Sequence, residues 1–200
     1  MRDEWSLFAT TRPITFLVRT GAGAVVVGLF LISSPTALVP PGRNLQIEGS
    51  GMQPTLQSGQ YLLANKAVYA FRSPRRGDVV VFRAPNQAPG QPEREFIKRI
   101  IGEPGETVEV RDQTVFIDGQ PLAEPYILEA PNYTFGPETV PADHYFVLGD
   151  NRNNSSDSHV ASVGMVPEEN ISGQAWLIYW PRSAFGLVDN TSVEPGSISE

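Results

Sequence analysis

The sequence Ile47-Glu-Gly-Ser-Gly-Met-Gln-Pro-Thr-Leu56 lies between two parts of the chain that differ in composition. The part before it contains a long apolar segment, and the part after it contains short apolar runs separated by turn-forming residues. Its glycines let a backbone come close to a bound partner, because they carry no side chain. We therefore expect a functional loop here, with an apolar helix on its N-terminal side and a folded domain on its C-terminal side.

The apolar segment has the length of a membrane span. No charged residue occurs from 20 to 42, and together with the apolar residues from Ile14 the run reaches the roughly 20 residues that a helix needs to cross a bilayer. The prolines that follow would end such a helix. The sequence therefore predicts one transmembrane anchor over residues 14–39. A cleavable signal peptide and a buried core helix are the two alternatives.

The charges around this segment predict its orientation. Three arginines lie before it or near its N-terminal end: Arg2 and Arg12 precede it, and Arg19 interrupts its first part. Because basic residues favour the cytoplasmic side of a membrane, residues 1–13 are predicted to be cytoplasmic. Residues 40–188 then form a domain on the opposite side, in a periplasm or a lumen. The polar residues 189–200 are typical of a disordered tail.

Composition excludes several classes of function. A chain of 200 residues suits one domain plus an anchor. Its net charge of −7 argues against nucleic acid as a partner, because phosphate binding needs a basic surface. The absence of cysteine excludes thiol catalysis and disulfides, and a count of two histidines argues against a histidine-rich metal site.

The part after the loop has the pattern of an antiparallel β domain. Short apolar or alternating runs recur between turn signals, and no stretch shows a strong 3.6-residue period. Strands are predicted at 45–47, 60–68, 79–82, 96–101, 107–110, 114–117, 145–148 and 175–180. A mostly β, antiparallel architecture follows, since no helices lie between the strands to make parallel crossovers.

Four segments of this part carry the chemistry. They are Ser50-Gly-Met-Gln-Pro-Thr-Leu56, Arg76-Gly-Asp-Val-Val-Val-Phe82, Phe96-Ile-Lys-Arg-Ile-Ile-Gly-Glu-Pro-Gly105 and Gly149-Asp-Asn-Arg-Asn-Asn-Ser-Ser-Asp-Ser158. In this order, behind an apolar segment, they resemble the type I signal peptidases, membrane-bound Ser/Lys proteases that remove signal peptides from exported precursors. The resemblance implies an antiparallel β-sheet domain of that type after one N-terminal transmembrane helix. It implies no cofactor and no metal, because a Ser/Lys mechanism uses neither.

The resemblance makes Lys98 the general base. A lysine in water is protonated, whereas burial among apolar side chains lowers its pKa and frees the amine to accept a proton. Phe96 and Ile100 share a strand face with Lys98 and would supply such surroundings. The alternative is an edge-strand lysine that prevents aggregation, a role that better suits Arg99.

The resemblance also assigns roles in the fourth segment. Ser155 is implied to hydrogen-bond the lysine and orient it. The implied scaffold of the site consists of Met52, Pro54, Asp150, Arg152 and Asp157. Arg152 is a candidate partner for Asp157, and Asp150 a candidate cap of the turn. His159 resembles members from photosynthetic membranes, which adds a thylakoid lumen to the possible locations; the alternative for this polar segment is a loop that only bonds to itself.

The first segment departs from the family pattern. In the family a serine stands directly before Met-x-Pro-Thr-Leu, and here that nucleophile position is Gly51. A second serine, two residues earlier, often donates to the oxyanion, and here it is Gly49. The nearest hydroxyl, Ser50, lies one residue too early, although a local bulge between two glycines would let it act as a displaced nucleophile.

Three explanations of Gly51 remain at the sequence level. The protein is a non-catalytic homologue that still recognises signal-peptide-like segments, or Ser50 replaces the lost nucleophile, or the chain is a deliberately inactivated variant. A function of another class is a structural subunit of a membrane-protein complex that uses the β domain as a docking surface.

The expected partners are signal peptides of exported precursors, or such a complex, and the lipid bilayer. By resemblance the substrate binds as an extended strand and is cleaved after small residues. Candidate bilayer contacts are Tyr69, Phe71, Trp176, Tyr179 and Trp180. For Trp176 and Trp180, which lie in an apolar run, ordinary core packing is the favoured interpretation.

Overall fold

The computed structural model, which describes residues 42–85 and 94–196, is built from antiparallel sheets. Every pairing between the described strands is antiparallel. The mostly β, antiparallel fold predicted from the sequence is therefore confirmed. The predicted cytoplasmic segment 1–13 and anchor 14–39 lie outside the described residues. Within the described ranges no helix has the length and hydropathy to span a membrane.

The described residues form twelve strands. In chain order they are β1 (Gly42–Gln46), β2 (Tyr61–Asn65), β3 (Val79–Arg83), β4 (Glu95–Gly102), β5 (Thr107–Arg111), β6 (Thr114–Ile117), β7 (Gln120–Pro121), β8 (Phe135–Thr139), β9 (His144–Leu148), β10 (Val166–Pro167), β11 (Ile171–Trp180) and β12 (Gly186–Leu187). An eight-stranded sheet has the order β1-β2-β11-β3-β4-β9-β10, with β12 paired to β11. A four-stranded sheet has the order β7-β6-β5-β8. Short 3-10 turns cover Ala67–Ala70, Arg152–Asn154, Glu168–Asn170 and Arg182–Ala184.

Strand β3 lies at the centre of the large sheet and is buried on both faces. Val79 and Val81 join a cluster that also contains Met52 and Leu56 from the loop at the end of β1. The alternate residues of β3 join a second cluster on the opposite face. This double burial explains why β3 is a continuous apolar run rather than an alternating one.

The large sheet brings β1 and the start of β4 towards each other, although they are not neighbours in the strand order. The Arg43 guanidinium on β1 donates to the Glu95 carboxylate at the start of β4, 2.5 Å away. Leu45 and Ile97 pack against the same core cluster. Strand β3 pairs with β4 over residues 95–99, whereas β9 pairs with β4 only from Arg99 onward. The first half of β4 therefore has one edge without a strand partner among the described residues.

Residues 189–196 differ from the predicted disordered tail. The Asn190 side chain accepts a hydrogen bond from the Val79 backbone at 2.7 Å and donates to the Ala175 carbonyl at 2.9 Å. Further along, Pro195 forms a β-bridge with Leu122. The polar side chain of Asn190 thus pairs with backbone groups of β3 and β11.

The exposure of two tryptophans also differs from the prediction. Trp176 and Trp180 are 36% and 54% exposed, so the interpretation of both as core residues is wrong. The apolar run on β11 is instead divided between two sides. Ala175 and Ile178 enter the core, while the tryptophans face outward.

Candidate active site

The loop after β1 is fixed by two buried side chains and by turn hydrogen bonds. Met52 and Leu56 lie in the core, and the Leu56 N–H donates to the Met52 carbonyl at 2.8 Å. The Gln53 N–H donates to the Ser50 carbonyl at 3.0 Å, and the Gln53–Pro54 peptide bond is cis. Met52 and Pro54 thus belong to a compact series of turns that holds residues 50 and 51 at the surface of the sheet.

The polar segment after β9 bonds directly to this loop. The Asn151 backbone N–H donates to the Gly51 carbonyl at 3.1 Å, and its side-chain amide donates to the Ser50 carbonyl at 3.2 Å. The Thr55 hydroxyl donates to the Asp150 carboxylate at 2.5 Å. The segment is therefore not merely self-bonded, and the first and fourth sequence segments form one site.

Lys98, on β4, lies at the same site. Its side chain is buried, with 7% of the residue exposed, and its Nζ lies 5.9 Å from the centroid of the Phe96 ring. Burial lowers the pKa of the Lys98 amine below its usual value. The negative charges of Asp157 and Asp150 oppose this effect by favouring the protonated form. The net result is an amine that is neutral in a larger fraction of molecules at neutral pH than a lysine in water, and only the neutral amine can accept a proton.

Gly51 faces this amine. A Cβ atom built on Gly51 would lie 3.1 Å from Lys98 Nζ and 3.3 Å from Ser155 Oγ. The Ser155 hydroxyl is buried and has no hydrogen-bond partner in the described part of the chain. Positions 51, 98 and 155, which lie on three separate segments, therefore converge on one point. A side chain at position 51 would occupy this point, but glycine has none.

The hydroxyl of Ser50 points elsewhere. Its Oγ accepts a hydrogen bond from the Asn154 side-chain amide at 2.9 Å, in an exposed position. The candidate displaced nucleophile is thus held by Asn154 of the segment after β9, and no hydrogen bond to Lys98 is formed by it among the described residues.

A buried ion pair next to the site joins Arg99 on β4 to Asp150 in the segment after β9. Arg99 donates to both carboxylate oxygens of Asp150, at 2.9 and 2.7 Å, and both side chains are fully buried. Its other N–H groups donate to Thr55 and to the backbone carbonyls of Gly77 and Asp189. The suggestion that Arg99 serves as an exposed edge charge is therefore wrong. Asp150 joins β4 to the loop rather than only capping its own turn.

Arg152 and Asp157 have separate partners. Arg152 donates to both oxygens of Glu124, at 2.7 and 2.5 Å, and to the Gly149 carbonyl at 3.0 Å. Asp157 accepts from the Gly149 N–H at 2.8 Å and contacts His159 Nδ1 at 2.6 Å. The expected Arg152–Asp157 pair is therefore wrong. Sequence reasoning missed Glu124, because it lies 28 residues before Arg152 in a segment without a motif.

A cleft of about 490 Å³ leads to this point. It lies between residues 46–52 and residues 94–98, where β1 and the unpaired edge of β4 face each other. Gly51 and Lys98 both line it. An extended peptide placed in the cleft would therefore pass the amine of Lys98.

Comparison with known proteins identifies the family. The family model described as signal peptidase, peptidase S26, matches residues 17–180. The chain belongs to this family. A signal peptidase I from Leptolyngbya laminosa is 49% identical over 144 residues, which cover 70% of each chain.

Two further relatives of the S26 family extend the comparison. A probable signal peptidase I-1 from Synechocystis sp. is 44% identical over 152 residues, covering 74% of this chain and 76% of the relative. The chloroplastic thylakoidal processing peptidase 1 of Arabidopsis thaliana is 42% identical over 143 residues, covering 68% and 42%. The resemblance to type I signal peptidases found in the sequence motifs is thereby confirmed.

Proposed function

We propose that this protein binds the signal peptides of exported precursors as a signal peptidase I does, but lacks the side chain that would attack the scissile bond. The observation that carries the proposal is the missing Cβ of Gly51, whose position lies 3.1 Å from Lys98 Nζ and 3.3 Å from Ser155 Oγ. A serine placed here would hold its hydroxyl beside a base with a lowered pKa, which is the arrangement that a Ser/Lys peptidase needs.

Substrate binding follows from the unpaired edge of β4. An extended peptide that adds to this edge gains backbone hydrogen bonds without requiring particular side chains. Its carbonyl groups would pass between β4 and the loop after β1, where the space around the Cβ position of Gly49 is open. Preference for small residues at the positions before the scissile bond is then inherited from the family.

Each remaining site residue has a proposed role. Lys98 is the base, and the Gly51 backbone N–H supplies one donor to an oxyanion. The Ser155 hydroxyl makes no hydrogen bond to the amine in this structure, so its proposed role is to face the reacting point beside Gly51. The supporting residues act through others. Arg99 and Asp150 fix β4 against the loop, whereas Arg152 and Asp157 shape the segment that carries Ser155. Metals and other cofactors have no part in the proposed reaction.

The location is also inferred from the family. We infer a single-pass membrane protein with residues 14–39 as its anchor and its N-terminus in the cytoplasm. The β domain would then meet its substrates where they leave the membrane, in a periplasm or a thylakoid lumen. The similarity to a thylakoidal processing peptidase supports the second of these compartments.

The test measures binding and cleavage separately. Full-length protein in detergent is mixed with a fluorescent precursor peptide that carries an Ala-x-Ala site. We expect the Gly51→Ser variant to bind the peptide as the wild type does, since the substitution leaves the edge of β4 unaltered. Cleavage should rise by several orders of magnitude in Gly51→Ser, because loss of a nucleophile costs on the order of 10⁶ in a comparable hydrolase.

Controls separate the proposal from its alternatives. Gly51→Ser/Lys98→Met should bind the peptide and lose the gained cleavage. Wild-type cleavage that disappears in Ser50→Ala would instead assign the nucleophile to Ser50. If the Gly51→Ser variant is inactive and the peptide binds no better than a scrambled one, the protein is a docking subunit and the proposed function is wrong.

A further inference from the structure

The point beside Gly51 combines polar groups that have few partners. The Ser155 hydroxyl is buried and unbonded among the described residues, and the Lys98 amine faces the same point from β4. The Asn154 carbonyl oxygen lies 3.5 Å from the position that a Cβ of Gly51 would take. Buried polar groups without partners are costly, so such a cluster favours an additional hydrogen-bonding molecule.

There is room for that molecule because glycine omits a hydroxymethyl group. A water molecule needs about 30 Å³ and two to four polar partners. The cleft reaches both Gly51 and Lys98, so water from the solvent has access to the amine. A substrate bound along the edge of β4 would bring its carbonyl carbon to the same side of the amine.

We propose that a water molecule occupies the place of the missing serine hydroxyl and that Lys98 activates it for direct hydrolysis of the bound peptide. The water oxygen attacks the carbonyl carbon, and one of its protons passes to Lys98 Nζ. When the C–N bond breaks, the Lys98 ammonium gives that proton to the leaving amine. The products are a new carboxylate and a new amino terminus, and no covalent enzyme intermediate forms.

The expected rate is low. A positioned general base typically contributes about 10²–10⁴ to a rate, whereas the covalent route of a hydrolase with its full set of residues contributes far more. We therefore expect the wild type to cleave the peptide much more slowly than Gly51→Ser, but faster than a variant without the base. This inference rests on the proposed function, because water can attack only a peptide that is bound in the cleft.

The experiment compares single-turnover cleavage by full-length protein in detergent, with protein in excess over the peptide. Wild-type cleavage should fall at least tenfold in Lys98→Met, which removes the base, and in Gly51→Ala, which adds a methyl group where the water would sit. It should persist in Ser50→Ala. The Gly51→Ser variant has the same Cβ as Gly51→Ala, so its activity shows that the fold accepts this atom.

A small external nucleophile provides an independent readout. Hydroxylamine should accelerate wild-type cleavage in proportion to its concentration and give a peptide ending in a hydroxamate, identified by mass spectrometry. Its nitrogen forms the new bond to the carbonyl carbon as the C–N bond breaks, and Lys98 again transfers the proton. Gly51→Ala should show neither the acceleration nor the product, because its methyl group takes the space.

The outcomes distinguish this inference from the proposed function. If Gly51→Ser cleaves while the wild type matches Lys98→Met with and without hydroxylamine, the water mechanism is wrong and the proposed function stands. If wild-type cleavage is lost in Ser50→Ala, a displaced serine rather than water is the nucleophile. If no variant binds or cleaves the peptide, both proposals fail.

Discussion

Lys98 carries a free-energy cost that the site requires. Its amine is buried, its pKa is lowered by that burial, and the carboxylates of Asp157 and Asp150 offset only part of the effect. A basic group whose pKa is lower in the folded than in the unfolded state lowers the unfolding free energy, and it does so fully at every pH below its folded-state pKa. This loss of stability shrinks as the pH rises from the folded-state pKa towards the pKa of an unperturbed lysine, about 10.4.

Replacing Lys98 by methionine should therefore stabilise the protein at neutral pH. Each unit by which the pKa is lowered corresponds to about 1.4 kcal/mol of unfolding free energy. Urea titrations of the full chain in detergent, followed by tryptophan fluorescence, measure the gain. It should diminish as the pH approaches 10. Lys66→Met, at the other lysine of the chain and an exposed one, should change stability little; an equal gain there would contradict the explanation.

Asp157 should control the proton affinity of Lys98 from the segment after β9. The Asp157→Asn substitution removes a charge that favours the ammonium form, and an amide oxygen can still accept from the Gly149 N–H. We expect the pKa of Lys98 to fall further in this variant. Because the chain has two lysines, NMR of a lysine-labelled sample resolves both. Lys66 serves as the internal reference, and an unchanged or higher Lys98 pKa would contradict the role of Asp157.

The burial of Lys98 is predicted from a local chemical signal. Lys98 lies among Phe96, Ile97 and Ile100, and this apolar pattern alone indicates a buried amine. Arg99 has the same neighbours, yet its burial depends on Asp150, which lies 51 residues away. Glu124 likewise acts only through a distant arginine. Pairings of this kind are set by the tertiary fold, so no local pattern reveals them.

At the scale of elements, the strands that the sequence predicts are those with an apolar face. Strands β3, β5 and β6 are continuous or alternating apolar runs, and each lies at nearly the predicted bounds. Strand β8, Phe135-Gly-Pro-Glu-Thr139, escapes prediction because it is mostly exposed and contains glycine and proline. Among the described strands it pairs only with β5, so its position is set by backbone hydrogen bonds rather than by a continuous apolar face. Edge strands of this kind lack the signal on which the prediction depends.

The Arg99–Asp150 pair should be the strongest single connection between β4 and the segment after β9, and Asp150 in turn accepts from Thr55 of the loop after β1. Removing one partner leaves an uncompensated buried charge, which typically costs about 3–5 kcal/mol. Arg99→Met and Asp150→Leu should each lower the unfolding free energy by that amount. The double variant should lose less than the sum of the two, because no lone charge remains buried. Denaturant titrations of all three variants measure this coupling.

The control for this connection is a surface pair. Arg111 bonds to Glu109 on β5, and its side chain is 44% exposed. Arg111→Met should change stability little, since solvent screens such pairs. Two results would show that the buried pair does not hold β4 against the segment after β9. In one, the losses of unfolding free energy in the two single variants add up in the Arg99/Asp150 double variant. In the other, Arg99→Met has an effect as small as that of Arg111→Met.

At the scale of the whole molecule, exposed apolar side chains concentrate on one hairpin. Four of the six large hydrophobic residues that are exposed in the described part of the chain belong to β11, β12 and their connection: Trp176, Trp180, Phe185 and Leu187. Exposed apolar surface of this kind marks a contact with a membrane or a protein. The exposed Arg182 lies in the same connection, where a long basic side chain can reach lipid headgroups.

We therefore predict that this hairpin enters the bilayer interface. In a Trp5→Phe/Trp176→Phe variant, Trp180 is the remaining tryptophan, and brominated lipids in proteoliposomes should quench its fluorescence. The control moves that tryptophan to the exposed Glu138 on the four-stranded sheet, by Trp180→Phe and Glu138→Trp, and leaves residues 1–39 unchanged. Because the two variants share this N-terminal segment, stronger quenching of Trp180 reports insertion of the hairpin itself. Equal quenching at both positions would contradict this insertion.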